Sequence, residues 1–271
     1  MRVAAIQLCS TTDILENNSA IETKVRQAAK EGAQLVSLPE AANVLHPDQY
    51  QYLELCSAEA EDTTLALCKD LASELGIWVH TGSLLFLSKK GDKIHNRAHI
   101  LAPNGQAVAV YDKIHRFDVA LGGAGDFLES NVVAASTTGP VVANLGEVCL
   151  GMSICYDLRF PKLFQSLAQA GANVLLIPAS FSTITGPLHW EALLTARAIE
   201  TGCFVIAAAQ CGERDGMATH GHSMIISPMG EVLAQLQDAP GTILSDVDPD
   251  LVTQTRKRLP CLQQGMPDYT V

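Results

Sequence analysis

The sequence predicts an α/β fold in which mixed β-sheets carry helices on one face and pack together through the other. Three observations point to it. Along the 271 residues, short apolar runs of strand type alternate with segments of helical periodicity. Two turn signals, Pro103-Asn104-Gly105 and Pro228-Met229-Gly230, each stand between strand-type runs and so join antiparallel neighbours. Hydrophobic residues make up 48% of the chain and charged ones only 17%, which is enough apolar material for a sizeable core. There is no short repeat, low-complexity tract or Pro/Ser-rich linker, so one domain over 1–271 is the simplest organisation.

Strands are predicted over 2–8, 33–39, 77–87, 97–103, 107–113, 148–154, 172–178, 203–210, 222–228 and 241–248, with the run EVLAQL returning antiparallel after Gly230. Over 17–31, Ile21, Val25, Ala28 and Ala29 recur at helical spacing, and Gly32 can end that helix. Residues 63–75 repeat the arrangement with Leu67, Leu71 and Leu75, closed by Gly76. Pro161 suits a first helical turn, and Leu163, Leu167 and Ala170 lead from it to Gly171. Trp190, Leu194 and Ala198 mark a further helix that ends near Gly202. Residues 114–131, rich in glycine and polar groups, read as a long loop, and long loops in compact proteins are often functional.

The net charge of −11 repels phosphate backbones and anionic headgroups, so neither nucleic acid nor a membrane surface is an expected partner. An anionic substrate would need local cations to overcome that field. The N-terminal run MRVAAIQLCS is too short for a secretory signal, and no run approaches the length of a membrane span. A soluble, cytoplasmic protein is therefore expected. The eight cysteines include no C-x-x-C pair, so the usual zinc and redox spacings are missing and most read as reduced core residues.

One cysteine stands apart. In VCLGMSICYDLRFP, Cys155 closes a strand-type run and is followed at once by polar Tyr156-Asp157 and by Arg159. A strand-end cysteine entering a polar turn can face a pocket, although strand position alone leaves a structural role open. Gly151-x-Ser153-x-Cys155 imitates a serine nucleophile elbow but lacks the second glycine, so Ser153 reads as a small packed residue. Glu40 and Lys113 also end strand-type runs, VSLPE and AVAVYDK, and each read singly is compatible with a solvated surface residue. Together the trio supplies what thiol-dependent amide hydrolysis requires: a nucleophile, a base for its proton and a cation for the oxyanion.

VSLPE, YDKIHRFD and GMSICYDLRFP, in that order and with TGPLHWEALLTARAIE and GHSMIISPMGEVL following, resemble the nitrilase superfamily of carbon–nitrogen hydrolases from Arg2 to about Tyr269. The resemblance implies a four-layer α-β-β-α sandwich with mixed sheets. It also implies a homodimer or higher homo-oligomer that pairs through the helices near 161–171 and 188–201, making Trp190 an interface candidate as well as a core one. The C-terminal tail, about 256–271 with Pro267-Asp268-Tyr269, would lie at the oligomer interface. The implied catalytic residues are Glu40, Lys113 and Cys155, with the backbone N–H of Tyr156 assisting at the oxyanion. FLES matches a segment carrying a second, substrate-positioning glutamate, here Glu129. No metal and no organic cofactor is implied.

Cys155 is followed by Tyr156-Asp157 rather than by the Trp-Glu of true nitrilases, and no synthetase domain accompanies it. The CYDLRFP, TGPLHWE and IAAAQCG segments look most like the branch that includes omega-amidase and deaminated glutathione amidase, and IAAAQCG with GHSMIIS favours the second. The implied reaction is metabolite repair, in which the amide of deaminated glutathione is hydrolysed through a Cys thioester to 2-oxoglutarate and cysteinylglycine. The alternative is an omega-amidase releasing ammonia from 2-oxoglutaramate; N-carbamoyl-amine hydrolysis or an inactive binding protein ranks behind both. Physical chemistry points to a small anionic amide as substrate, because Arg159 lies just beyond the nucleophile and a guanidinium can hold a carboxylate bidentately. By resemblance, Phe181 and Thr185 complete that pocket. Arg159 could instead form a structural bridge to Asp157 or Glu191.

Overall fold

The computed structural model describes residues 1–120, 126–262 and 264. The first half of the chain supplies β1 (Arg2–Gln7), α1 (Ile14–Lys30), β2 (Leu35–Ser37), α2 (Tyr52–Leu55), α3 (Thr63–Leu75), β3 (Trp78–His80), β4 (Leu84–Leu87), β5 (Ile94–Leu101), β6 (Ala107–Asp112), β7 (Asp118–Val119) and β8 (Phe127–Leu128). The second half supplies β9 (Val142–Asn144), β10 (Cys149–Met152), α4 (Pro161–Gln169), β11 (Val174–Leu176), α5 (Gly186–Thr201), β12 (Phe204–Ala207), β13 (Cys211–Arg214), β14 (Met217–His220), β15 (Met224–Ile226), β16 (Val232–Gln235), β17 (Gly241–Asp246) and α6 (Pro249–Arg258).

Two mixed sheets result. One runs β17-β1-β2-β3-β5-β4, with β6 paired to β5; the other runs β16-β15-β12-β11-β10-β9. Each has a parallel centre, β1-β2-β3 or β10-β11-β12, flanked by antiparallel strands. Period-2 alternation sorts the layers. Val3 and Ala5 of β1 join a core shared with Leu150 and Met152 of the second sheet, whereas Ala4 and Ile6 pack with Ile21 and Val25 of α1 and Leu71 of α3. Leu167 of α4 and Trp190 and Leu194 of α5 are buried with the second sheet. The layers are α-β-β-α, as expected. Gly76 and Gly202 end α3 and α5 with left-handed φ of 65° and 59°, the backbone state that glycine reaches at least cost. Both expected hairpins are present, β5 with β6 and β15 with β16.

Four features depart from the sequence expectations. The apolar run 77–87 is two strands, because Thr81-Gly82-Ser83 leaves the sheet to pass beneath the segment after β2. Within 114–131, Asp118–Val119 pairs with Phe127–Leu128 and a helical turn begins at Glu129, so the described part of this stretch has regular structure. The β13–β14 hairpin and α6 were not expected from periodicity. Trp190 is fully buried within the chain and donates its indole N–H to His222 O at 2.8 Å, which leaves no surface of it for a partner. Of the tail, residues 256–258 belong to α6 and Arg256 bonds Thr201 O and Ala172 O of its own chain. Pro267-Asp268-Tyr269 lies outside the described residues.

The break at Gly82 sets up the site. A Cβ there would sit 2.0 Å from Pro39 O and 2.2 Å from Leu38 O, and Gly82 has φ +66°. Ser83 then binds the segment around Glu40: its N–H donates to Pro39 O at 3.2 Å, and its hydroxyl and carbonyl accept from Ala41 N and Ala42 N at 3.1 and 3.0 Å. Gly82→Ala should cost roughly 2–4 kcal/mol, combining the left-handed penalty with a clash against rigid backbone. An unchanged denaturation midpoint would refute that account of the turn.

Candidate active site

Four charged or nucleophilic side chains meet where strand ends from both sheets converge. Glu40 follows β2, Lys113 directly follows β6, Cys155 follows β10, and Glu129 opens the turn after β8; all four are buried. The Lys113 ammonium donates to Glu40 Oε1 and to both Glu129 oxygens, each at 2.9 Å. Glu40 Oε2 accepts from Ser180 N at 2.8 Å, and Glu129 Oε2 accepts from Phe117 N. Asn96 of β5 donates from Nδ2 to Glu40 Oε1 at 3.0 Å. Burial alone would lower the Lys113 pKa. Glu129 and Glu40, with Cys155 behind them, overrule it and hold the ammonium well above the usual lysine value.

Cys155 opens a helical turn over Cys155–Arg159 with φ +47°, a conformation uncommon for a residue with a Cβ. Asp157 holds that turn. Its Oδ2 accepts from Ile154 N at 2.9 Å and from Tyr111 OH at 2.6 Å, and its Oδ1 accepts from His115 N at 3.0 Å and lies 2.7 Å from His115 Nδ1. The Cys155 N–H donates to Pro178 O at 2.8 Å. Ser153 is packed as expected, its hydroxyl donating to Leu176 O. Burial and the Glu40 carboxylate push the Cys155 thiol well above the usual cysteine range, against the downward pull of Lys113. The resting pair is a neutral thiol beside a carboxylate that can accept its proton.

These groups line a cleft of about 370 Å³. Tyr156, Arg159, Phe181 and Thr185 line the same cleft. The Arg159 guanidinium lies 5.2 Å from the Phe181 ring centroid and 5.8 Å from that of Tyr156, and bonds Thr185 Oγ1 at 3.2 Å and His189 Nδ1 at 3.1 Å. Among the described residues no carboxylate pairs with it, so the bridges to Asp157 or Glu191 that the sequence allowed do not form. Every sequence-derived site residue thus borders one cavity. No group of three or more His, Cys, Asp or Glu side chains among the described residues is placed to hold a metal ion.

Sequence reasoning missed Asn96, Ser180 and the role of Asp157. Asn96 carried a signal: it shares the buried face of β5 with Ile94 and Ala98, where an amide side chain requires a polar partner. Ser180 acts through its backbone N–H and leaves no such mark.

With its pKa raised, Cys155 should remain a neutral thiol near neutral pH. The ultraviolet thiolate band, taken as the difference between wild type and Cys155→Ser, should be missing at neutral pH and grow only in alkali. A full band at neutral pH would contradict this electrostatic picture.

Comparison with known proteins bears on what this geometry is for. The chain matches the model of the Carbon-nitrogen hydrolase family over residues 2–257. It is 40% identical to human deaminated glutathione amidase over 98% of this chain and 82% of that protein. Its fold superposes on the NitFhit protein of C. elegans with TM-score 0.91 and 31% identity, covering 100% of this chain and 66% of that longer one. It also superposes, with TM-score 0.80 and 26% identity over 96% of this chain and 98% of the other, on a glutamate-to-glutamine variant of the amidase from Nesterenkonia sp. AN1, in which acrylamide has added to the active-site cysteine. Match and fold together make the chain a member of the carbon–nitrogen hydrolase family.

Proposed function

We propose that the chain is a thiol-dependent amidase that hydrolyses deaminated glutathione to 2-oxoglutarate and cysteinylglycine, a metabolite-repair reaction. The observation that carries this reading is the shared cleft: a thiol and a carboxylate line the same cavity as an arginine with no acidic partner among the described residues. A guanidinium in that state favours an acyl group ending in a carboxylate. The human relative, named for deaminated glutathione, supports the same choice.

In the proposed sequence Glu40 takes the Cys155 proton and Sγ attacks the amide carbonyl carbon, forming a C–S bond. Oε2 is the more open oxygen for this, because it accepts one bond, from Ser180 N, where Oε1 accepts from both Lys113 and Asn96. Lys113 and the Tyr156 N–H stabilise the oxyanion. Glu40 returns the proton to the leaving nitrogen, the C–N bond breaks and cysteinylglycine departs. Water, deprotonated by Glu40, attacks the thioester; the C–S bond breaks, the thiol regains a proton and 2-oxoglutarate leaves. Glu129 fixes Lys113 and borders the acyl site, while Arg159, Thr185 and Phe181 hold the keto-acid end. Assembly into homodimers through α4 and α5 is part of this reading, supported by the exposed Leu188 and Ile199 on α5. So is a cytoplasmic location, where a nucleophilic thiol stays reduced.

Cys155→Ala and Glu40→Gln should each abolish turnover without unfolding the protein; full activity in either would overturn the mechanism. Arg159→Lys should raise KM for keto-acid amides roughly tenfold, through loss of bidentate pairing, and an unchanged KM would make Arg159 structural. The decisive assay compares kcat/KM for deaminated glutathione and 2-oxoglutaramate, with intact-protein mass spectrometry to trap the thioester. A clear preference for 2-oxoglutaramate would make the enzyme an omega-amidase instead.

A further inference from the structure

We propose that Asn96 is a positioning residue for the general base, holding the Glu40 carboxylate at the rotation in which Oε2, which accepts a single bond from Ser180 N among the described residues, can also take the Cys155 proton. The proposal rests on the reading of Glu40 as that base.

The side chain is buried on β5 and borders the cleft. Its Nδ2 donates to Glu40 Oε1 at 3.0 Å and reaches Glu129 Oε1 at 3.5 Å, the outer limit for such a bond. The amide orientation follows from chemistry. Were the group reversed, Oδ1 would face carboxylate oxygens, acceptor against acceptor. Its main chain is tied to the same machinery, because Asn96 O accepts from Lys113 N at 3.0 Å. One residue therefore fixes the backbone that carries the ammonium and one oxygen of the base.

The cost is visible on the other side of the amide. Asn96 Oδ1 is buried and has no hydrogen-bond partner among the described residues. An orphaned buried acceptor works against folding and offsets the stabilisation that the Nδ2 bond to Glu40 contributes, so stability alone is a weak reason for an amide at this position. What leucine cannot supply is a donor. Glu40 is held by Lys113 and Asn96 on Oε1 and by Ser180 N on Oε2. Without Asn96, Oε1 depends on a lysine shared with Glu129, and the carboxylate is held against rotation by that bond and the one from Ser180 N. Substrate is gripped elsewhere, by Arg159 and its neighbours, so losing the donor should slow chemistry and leave binding alone.

The test is Asn96→Leu, assayed with deaminated glutathione beside Glu40→Gln and followed by thermal denaturation. Asn96→Leu should lower kcat roughly 100-fold, the scale of a misplaced catalytic group, with KM within about twofold of wild type and no loss of melting temperature. A kcat close to wild type, or a fall in kcat matched by a lower melting temperature, would overturn the proposal in favour of a purely structural Asn96. If Asn96→Leu fails to fold, Asn96→Ser against Asn96→Ala makes the same comparison: the hydroxyl can donate towards Glu40 and the methyl cannot. Equal kcat in those two would then overturn it. Activity in Glu40→Gln would remove the base itself, and that failure is separate from a silent Asn96 beside a dead Glu40→Gln.

Discussion

One buried ammonium, held between two carboxylates, is the interaction on which the bottom of the cleft depends. Removing a charge from water is expensive, and a buried cluster persists only when every member is paired and hydrogen-bonded. Lys113 meets that condition with three bonds to Glu40 and Glu129, and the carboxylates meet it with further donors from Asn96, Ser180 N and Phe117 N. None of the three charges would be tolerable alone. Burial, reinforced by the Glu40 carboxylate against the pull of Lys113, keeps the nearby thiol protonated while substrate is absent. Lysine is thereby spared from serving as counter-ion to a resting thiolate. Its charge becomes available to an oxyanion only as the Cys155 proton moves to Glu40, which makes its stabilising effect largest in the transition state.

The nucleophile is held under a different constraint. A left-handed φ at Cys155 costs on the order of 1–3 kcal/mol, and the turn keeps it because Asp157 gathers donors from Ile154 N, His115 and Tyr111. Asp157 is wholly buried, and its bonds tie the first turn after β10 to the segment after β6. The stacking of His115 on Phe160, with centroids 3.5 Å apart, closes the same loop from outside. Local strain at the reacting residue is thus offset by a network in which every partner sits on a regular element or beside one.

Much of this was legible in the sequence because the informative signals are local. Glu40, Lys113 and Cys155 each end a strand-type run, and strand ends on one edge of stacked sheets can share a cavity. Gly82 was not legible, because a run of apolar residues from Ile77 to Leu87 conceals a break whose cause is the carbonyl of a distant segment. The β13–β14 hairpin did carry a mark, Asp215-Gly216, both with positive φ in the structure, but few apolar residues flank it. Helix α6 is mostly polar and buries only Val252 and Thr255, too little for a periodic signal. Asp157 was read as a possible partner for Arg159, because proximity in sequence says nothing about the direction a turn gives two side chains.

The division of the site between the sheets makes their relative position a catalytic quantity. Glu40, Asn96 and Lys113 belong to the sheet of β1 to β6, whereas Cys155 and Arg159 belong to the turn after β10. A shift of the order of 1 Å between a base and its nucleophile costs about 100-fold in rate, so apolar packing between sheets needs a directional supplement. Tyr111 provides it. It lies on β6, on the same side of the strand as Lys113, and its phenol donates to Asp157 in the nucleophile turn. Burial, reinforced by Asp157, pushes the Tyr111 phenol far above the ordinary tyrosine pKa, so it remains a donor throughout the working pH range. Gln210 makes a second link, donating to Ser10 Oγ and to Glu40 O from the segment after β12. Hydrophobic burial brings the sheets together without specifying an angle; directional bonds such as these help to fix it, one at the cation and nucleophile and one at the base.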